Sequence, residues 1–231
     1  MIAWRQIRLN SSQTAQIRTW TGDFGREYTD RNTYSPAELD EFYRRTYGIT
    51  RTALNERFLE KIPRDARILE VGCNMGTQLL VLQQMGFNNL HGIEIQSYAL
   101  ERATARLPGA VLTQASAFAI PYEDRFFDLV FTSGVLIHIA PSDLPKALAE
   151  IHRCARTWIW GFEYYASETT EVVYRGHQSL LWKSDFARAY LQQFDDLELA
   201  REERFRYRDN YNMDTAFLLR VNRRDVSSSH S

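Results

Sequence analysis

Short apolar runs alternate with segments of helical period through the middle of the chain. Runs of β-like composition predict strands, and stretches with apolar residues three or four positions apart predict helices between them. The predicted strands are Arg67–Val71, Asn89–Ile95, Ala110–Gln114, Phe127–Thr132 and Thr157–Phe162. The predicted helices are Thr77–Met85, Ser97–Arg106 and Ser142–Cys154. Strands and helices in turn predict a parallel sheet with right-handed crossovers.

The pattern changes after Phe162, where an irregular insertion is followed by a helix that Ser184 could cap. Two further runs, Leu197–Tyr207 and Thr215–Val221, are joined by RDNYNMD, which is rich in turn-forming residues. So short a connection favours a hairpin and an antiparallel sheet edge. The predicted fold is α/β, with a Rossmann-like, mostly parallel seven-stranded sheet that ends in this hairpin and has helices on both faces.

Three regions follow from this pattern. Residues 1–62 form an N-terminal arm and helical lid, in which helical spacing from Pro36 to Ile62 is interrupted near Gly48 and predicts two short helices or one kinked helix. Residues 63–223 form the core, with an insertion at about 163–183. Residues 224–231, which include SSSHS, form a tail that we expect to be disordered.

Composition narrows the classes of partner. The 231 residues are 44% hydrophobic and 25% charged, an ordinary globular balance, and the net charge of −1 gives no basic field for nucleic acid. Cys73 and Cys154 lie far apart, which supports neither a disulfide framework nor a zinc site. The first residues lack the apolar core of a signal peptide, and no apolar run is long enough to span a membrane. We therefore expect a cytoplasmic protein with a small-molecule substrate, no nucleic-acid partner, no membrane insertion and no metal.

The stretch RILEVGCNMGTQLLVLQQMGFNNLHGIEI carries the candidate chemistry. Gly72 and Gly76 lie in the first strand–helix turn, where a doubly wound sheet approaches its ligand most closely. Glu70 ends the first strand and Glu94 ends the second, where a carboxylate can accept both hydroxyls of a ribose. The glycine spacing does not fit a dinucleotide motif, and no P-loop is present, so the ligand is expected to have a ribose and no pyrophosphate.

ILEVGCNMGTQLL followed by IEI resembles the first two motifs of the class I S-adenosylmethionine-dependent methyltransferases, whose pattern is E/D-x-G-x-G-x-G. Here Asn74 replaces the middle glycine, and Asn adopts left-handed backbone conformations more readily than most residues. QASAFAIPYEDRFFDLVFTSGVLIHI is similar to the third motif region, with Ser116 where an aspartate usually binds the adenine amino group. The resemblance covers about Arg67 to Phe162. It implies S-adenosyl-L-methionine as cofactor, bound by Glu70, Gly72, Cys73, Asn74, Gly76, Glu94, Ile95, Ser116, Ala117 and Ser133.

Three residues are candidates for proton removal. His138 follows the fourth strand, where the substrate is expected to meet the methyl group, and His177 lies in the insertion that would cover the site. Histidine suits a general base at neutral pH, although a packed histidine bonded to backbone is an equally good interpretation of His138. Glu163 ends the fifth strand and is the third candidate.

A narrower likeness concerns the acceptor. FGREYTDRN, VVYRGHQSLLWKSDF and NYNMDTAFLLRV are similar to segments of methyltransferases associated with pseudaminic acid and related surface-sugar pathways. This likeness implies a sugar, a nucleotide sugar or a related glycan precursor, methylated on oxygen or nitrogen. Substrate or lid contacts are then expected from Tyr28, Arg31, Tyr164 and Arg175. The alternative is a non-catalytic protein that uses the same cofactor site for regulation or as a scaffold.

Overall fold

A computed structural model describes residues 5–6 and 14–222 of the chain. Its main sheet has eight strands in the order β1-β4-β3-β2-β5-β6-β10-β9, and a separate two-stranded ribbon joins β7 to β8. The strands are β1 (Arg5–Gln6), β2 (Arg67–Val71), β3 (Asn89–Glu94), β4 (Val111–Gln114), β5 (Phe127–Ser133), β6 (Ala155–Tyr164), β7 (Thr170–Glu171), β8 (Trp182–Lys183), β9 (Leu197–Arg206) and β10 (Met213–Val221).

The predicted seven-stranded arrangement is confirmed. Strands β2 to β6 of the main sheet pair in parallel, whereas β10 runs antiparallel to both β6 and β9. The two-residue strand β1 adds an eighth strand, parallel to β4. It lies in the arm, where two residues are too few to give an alternating pattern. The carboxyl ends of β2, β3, β5 and β6 meet at one edge of the sheet, where ligands bind in open α/β folds.

Helices cover both faces of the sheet. They are α1 (Ala15–Thr21), α2 (Asp23–Arg31), α3 (Pro36–Tyr47), α4 (Arg51–Leu59), α5 (Thr77–Gln84), α6 (Ser97–Arg106), α7 (Leu144–Cys154) and α8 (Phe186–Gln193). Helices α3 to α6 contribute to one apolar core, and α7 and α8 contribute to the other. No helix among the described residues is long and apolar enough to cross a membrane. The tail at 224–231 lies outside the described residues.

The break near Gly48 separates two helices. Ser35 begins α3 with a capping box to Glu38, and Gly48 ends it with φ of 81°, a left-handed conformation that glycine adopts without strain. Thr50 then accepts a hydrogen bond from the Ala53 amide and begins α4. Of the two arrangements that the sequence allowed, the structure has two short helices.

The predicted cap of α8 is wrong by one residue. Asp185, and not Ser184, accepts the hydrogen bond from the Arg188 amide at 3.0 Å. The Ser184 hydroxyl lies 2.9 Å from the hydroxyl of Thr169, a contact that holds the insertion to the start of the helix. A carboxylate at the first turn also suits the helix dipole, which explains why the neighbouring aspartate serves better.

Candidate functional site

A cavity of about 560 Å³ opens at the carboxyl ends of β2, β3, β5 and β6. This volume lies within the roughly 300–1,000 Å³ typical of small-molecule sites. The glycine turn after β2 forms one end, helices α1 to α3 cover it, and the hairpin β9–β10 closes the other end. The cavity therefore extends across the edge at which the sequence placed the ligand.

The turn after β2 brings backbone directly to the cavity. Gly72 and Gly76 have φ of 71° and 69°, conformations that side chains rarely adopt. The Gly72 and Cys73 amides both donate to the carbonyl of Ile93, at 2.8 and 3.0 Å. A Cβ atom at Gly72 would lie 2.7 Å from Cγ2 of Val135, so only glycine fits without displacing the loop after β5.

Asn74 sustains the turn in place of the middle glycine of the family pattern. Its φ of 46° is left-handed, which confirms the expected tolerance of asparagine at this position. Its Oδ1 accepts from the Met75 amide at 2.7 Å, and its Nδ2 donates to the Thr29 hydroxyl at 3.2 Å. The side chain therefore ties the turn to helix α2.

Glu94 lies against this turn and accepts hydrogen bonds from three backbone amides. Its Oε2 accepts from Asn74 at 2.9 Å, and its Oε1 accepts from Ile95 and Gln96 at 2.8 and 3.0 Å. Burial raises the pKa of Glu94, and the three amides oppose that rise by stabilising the charged form. The carboxylate is thus held in one orientation at the cavity wall.

Glu70 is buried beneath the turn near Arg51. Burial raises the pKa of Glu70 well above its ordinary value, although the positive charge of Arg51 acts to lower it. Arg51 is fully buried, donates to the hydroxyls of Tyr43 and Ser133 at 2.9 and 3.2 Å, and lies over the ring of Trp160. This arginine was missed because nothing in the local pattern of α4 distinguishes it from a surface cation.

Of the other predicted cofactor residues, Gly76 does not line the cavity and instead faces Leu107. The remaining ones line it, namely Cys73, Ile95, Ser116, Ala117 and Ser133. The Ser116 hydroxyl accepts from the Phe118 amide at 3.2 Å, which fixes the loop after β4. Burial raises the pKa of the Cys73 thiol well above its ordinary value, so this thiol stays protonated.

Gln96 joins helices α1 and α2 to the part of the cavity around Glu94. The sequence pattern did not predict this role. The Gln96 Nε2 donates to the carbonyl of Trp20 at 2.8 Å, and its Oε1 accepts from the Thr29 hydroxyl at 3.0 Å. The Gln96 side chain thereby holds α1 and α2 beside the loop that follows β3. The sequence carries no signal for such a contact because Gln96 and the arm are more than 60 positions apart.

His138 lines the cavity at the 3₁₀ segment Leu136–His138. Its Nδ1 lies 2.7 Å from the carbonyl of Leu180, which fixes the tautomer that donates from Nδ1 and leaves a lone pair on Nε2. Burial lowers its pKa to about 4, so the imidazole is neutral at physiological pH. The Trp20 ring packs against it, with centroids 4.4 Å apart.

Glu163 holds the loop after β5. Its Oε2 accepts from the Val135 amide at 3.0 Å, and burial raises its pKa to about 7 against the stabilising amides of Val135, Leu136 and Ile137. The carboxylate therefore caps the 3₁₀ segment that carries His138. It is a positioning group as well as a cavity residue.

His177 is not brought to the cavity lining or to His138. It is exposed, bonded through its backbone to Tyr174, and its ring packs on Phe24 at 5.2 Å between centroids. Four other predicted residues do line the cavity: Tyr28, Arg31, Tyr164 and Arg175. Arg31 also pairs with Glu27 of the same helix at 3.4 Å.

The sequence pattern also did not predict a cluster of one aspartate and two tyrosines at the hairpin end of the cavity. Asp214 accepts from the hydroxyls of Tyr47 and Tyr207, the latter at 3.1 Å, and all three residues line the cavity. Tyr47 ends α3, whereas Tyr207 and Asp214 flank the hairpin turn. Among the described residues, no group of three or more His, Cys, Asp or Glu side chains is arranged to hold a metal ion.

Comparisons with known proteins agree with this geometry. The family described as "Methyltransferase domain" matches residues 69–157. An uncharacterized protein of Haemophilus influenzae is 32% identical over 95 residues, 38% of this chain and 38% of that protein. An uncharacterized methyltransferase of Synechocystis is 31% identical over 87 residues, 38% of this chain and 41% of that protein. This chain thus matches only about two fifths of the length of each of these two relatives.

A solved structure with a similar fold is the Burkholderia thailandensis 1,6-didemethyltoxoflavin-N1-methyltransferase with bound 1,6-didemethyltoxoflavin and S-adenosylhomocysteine. It is 14% identical, covers 92% of each chain and has a TM-score of 0.68. At this identity the likeness concerns the fold. Residues 69–157 match the methyltransferase-domain family, and the chain has a Rossmann-like fold similar to that of this solved methyltransferase.

Proposed function

We propose that this protein is an enzyme that transfers a methyl group from S-adenosyl-L-methionine to an oxygen or nitrogen of a small-molecule acceptor. The observation that carries the proposal is the Glu94 carboxylate at the cavity wall, fixed by three backbone amides, one of which belongs to Asn74 in the Gly72–Gly76 turn. A carboxylate at this point suits the paired hydroxyls of a ribose, and the bare turn suits a ligand in contact with backbone.

The residues present fit this cofactor. Gly72 lines the cavity without a side chain, and Glu94 and Ser116 offer acceptors for hydroxyl and amino groups. When bound, the cofactor supplies an electrophilic methyl group on a sulfonium. The chain must hold the acceptor in line with that methyl group and exclude water, and positioning of this kind contributes roughly 7–11 kcal/mol.

Proton removal is a smaller contribution, typically about 10²–10⁴-fold. We assign it to His138, since its Nε2 carries a lone pair and its residue lines the cavity. Glu163 supports this histidine by holding the loop at Val135. His177 has no part in the proposed step, because it is exposed outside the cavity lining.

We further propose that the acceptor is a sugar, a nucleotide sugar or a related surface-glycan precursor. The part of the cavity beyond the cofactor turn is rich in tyrosine, which offers flat apolar rings and hydroxyl donors to a polyhydroxylated ligand. Arg175 lines the cavity too and suits an anionic group on such a ligand. The likeness of the lid, insertion and hairpin segments to surface-sugar methyltransferases supports the same class.

The first experiment is calorimetric titration of the purified protein with S-adenosylmethionine, S-adenosylhomocysteine and NAD. We expect the first two to bind and NAD not to bind. Glu94→Ala should abolish binding, whereas Glu101→Ala, at an exposed position on α6, should leave it unchanged. Absence of binding by the folded wild-type protein, or equal binding by the Glu94→Ala variant, would contradict the proposal.

A further inference from the structure

The cluster of Asp214, Tyr47 and Tyr207 is built from two distant parts of the chain, the end of α3 and the β9–β10 hairpin. Asp214 stands opposite Tyr164 in the antiparallel register of β10 and β6, and it is 4% exposed. The Arg208 amide donates to the carbonyl of Thr46 at 2.9 Å, which holds the hairpin turn against the end of α3. The carboxylate is therefore rigidly placed and shielded from bulk water.

One oxygen of this carboxylate is unused. Oδ2 accepts from both tyrosine hydroxyls, but Oδ1 is buried and has no hydrogen-bond partner among the described residues. The nearby cation does not satisfy it, since the Lys183 ammonium lies over the Tyr164 ring and donates to Asn212. A buried carboxylate oxygen without a donor is rare and destabilising in a folded protein, so it calls for a partner.

The charge state of Asp214 defines the partner it needs. Burial raises the pKa of this carboxyl to about 6, against the favourable contacts with Tyr47, Tyr207 and Lys183. The carboxylate is therefore mainly ionised at neutral pH, and an ionised carboxylate only accepts hydrogen bonds. The matching ligand group is a hydroxyl or an amine.

The position of Asp214 selects the acceptor over the cofactor. Glu94 ends β3, and Asp214 begins β10, which is four strands away in the sheet order. At about 4.8 Å per strand, the two carboxylates are separated by roughly 19 Å along the sheet edge. One cavity contains both, with the ends of β5 and β6 between them. A ligand group at Asp214 therefore belongs to a second molecule beyond the cofactor.

We propose that Asp214, oriented by Tyr47 and Tyr207, binds the methyl acceptor by accepting a hydrogen bond at Oδ1 from a hydroxyl or amino group of that acceptor. This inference rests on the proposed methyltransferase function. It makes the cluster the specificity determinant of the acceptor end. A site built to pair with a hydroxyl strongly rejects the analogue that lacks it, because the protein group is then left unpaired.

The test uses tritiated S-adenosylmethionine with two sources of acceptor. The first is a panel of free and nucleotide-linked hexoses and hexosamines, and the second is the low-molecular-mass fraction of a cell extract. Wild-type protein is compared with Asp214→Asn, Tyr47→Phe and Asp209→Asn. Asp209 is the matched control, since it is an exposed aspartate of the same hairpin turn and does not line the cavity. S-adenosylhomocysteine affinity is measured on every variant and reports that the fold and the cofactor end are intact.

We expect Asp214→Asn to raise the acceptor KM by about tenfold to a hundredfold, in line with loss of a hydrogen bond to a charged group. Tyr47→Phe should raise it less, and Asp209→Asn should match wild type. S-adenosylhomocysteine affinity should stay within twofold in all variants. A wild-type acceptor KM in Asp214→Asn would overturn the inference and leave the methyltransferase function standing.

Two outcomes separate this inference from the function beneath it. If wild-type protein binds S-adenosylmethionine but labels nothing in either source, the cluster has no acceptor to bind and the inference is overturned, while the cofactor site stands. If wild-type protein binds no S-adenosylmethionine, the proposed function itself fails.

Discussion

The two ends of the cavity are built in different ways. At the cofactor end, Glu94 bonds the Asn74 amide across 20 positions of sequence, and the partners are backbone groups of one strand–turn–helix unit. At the hairpin end, which we propose binds the acceptor and call the acceptor end, Tyr47 donates a hydrogen bond to Asp214 across 167 positions. The partners there are side chains from a helix and a hairpin. The first end is a local motif, and the second depends on the complete fold.

This difference bears on what each end can specify. Backbone amides and glycines are shared by any chain that forms the same turn, so the cofactor end fixes a ligand common to many enzymes. Side chains brought together by tertiary packing can change without altering the turn. Substrate choice is therefore expected at the acceptor end, and the predictions below separate the two ends in order of decreasing effect.

Gly72→Ala should cause the largest change, because it acts on both strain and packing. Its φ of 71° disfavours a side chain, and the new Cβ would meet Val135 at 2.7 Å. We expect the free energy of unfolding to fall by about 2–5 kcal/mol and cofactor binding to be lost.

Gly86→Ala is the matched control for this change. Gly86 also has a positive φ, 92°, but nothing lies within 4 Å of its added Cβ. The free energy of unfolding of Gly86→Ala should fall only by the cost of a left-handed alanine, about 1–2 kcal/mol. This variant should bind S-adenosylhomocysteine normally. Urea unfolding and calorimetry on both variants measure this, and equal effects would show that the approach of Val135 to the turn is unimportant.

Glu163→Gln should change how stability depends on pH. The folded pKa of about 7 lies above the ordinary 4.5, so the fold favours the protonated form. Stability from this group is complete below pH 4.5 and is lost as the pH rises through 7. Relative to Glu163→Gln, which cannot ionise, the wild-type free energy of unfolding should fall by about 3 kcal/mol over that window.

Urea titrations at intervals between pH 4 and pH 8 measure the difference between the two proteins. Asp214 also titrates near pH 6 but is present in both, so its contribution cancels. Glu101→Gln, on the exposed face of α6, should run parallel to wild type. A constant gap between wild type and Glu163→Gln across this range would mean that the Glu163 carboxyl is not perturbed by folding.

His138→Ala and His177→Ala form a matched pair. His138 lines the cavity, but its pKa of about 4 makes it a weak base at neutral pH. We therefore expect its loss to slow turnover by about 10²-fold, the lower end of the range for general bases. His177 is exposed outside the cavity lining, and its replacement should leave turnover within twofold of wild type. Full turnover in both variants would remove histidine from the mechanism.

The fold was largely predictable because most strands of the core are short, largely apolar runs that alternate with segments of helical period. Arg67–Val71 and the helix Ser97–Arg106 have the predicted bounds, since strand burial and helix periodicity both end abruptly there. The strand predicted at Thr157–Phe162 extends to Ala155–Tyr164, because Ala155 pairs with Phe127 of β5 and β10 pairs as far as Tyr164. Pairing with a distant strand lengthens an element in a way that local composition does not encode.

The candidate site was predictable only where it is local. The glycine turn and Glu94 lie within one motif, and the cavity contains them. Arg51, Gln96 and Asp214 were missed, since each acquires a partner from a segment remote in sequence. Polar residues of this kind look like surface positions until the fold buries them. The catalytic and binding roles of individual residues stay predictions. The boundary between arm and core at residues 62 and 63 stays a prediction as well.

The smallest effect is expected from Asn74→Gly, which restores the middle glycine of the family pattern. Glycine relieves the left-handed strain at φ of 46°, a gain of about 1 kcal/mol, but it removes the bonds to Met75 and Thr29. Those bonds contribute about 0.5–1.5 kcal/mol each, so we expect the free energy of unfolding to fall by about 0–2 kcal/mol. Cofactor affinity, measured by calorimetry, should change less than fivefold, because the amide that Asn74 donates to Glu94 belongs to the backbone and is kept. A loss of affinity beyond tenfold would show that the Asn74 side chain, through its bond to α2, is part of the cofactor end and that this end is less local than its sequence motif suggests.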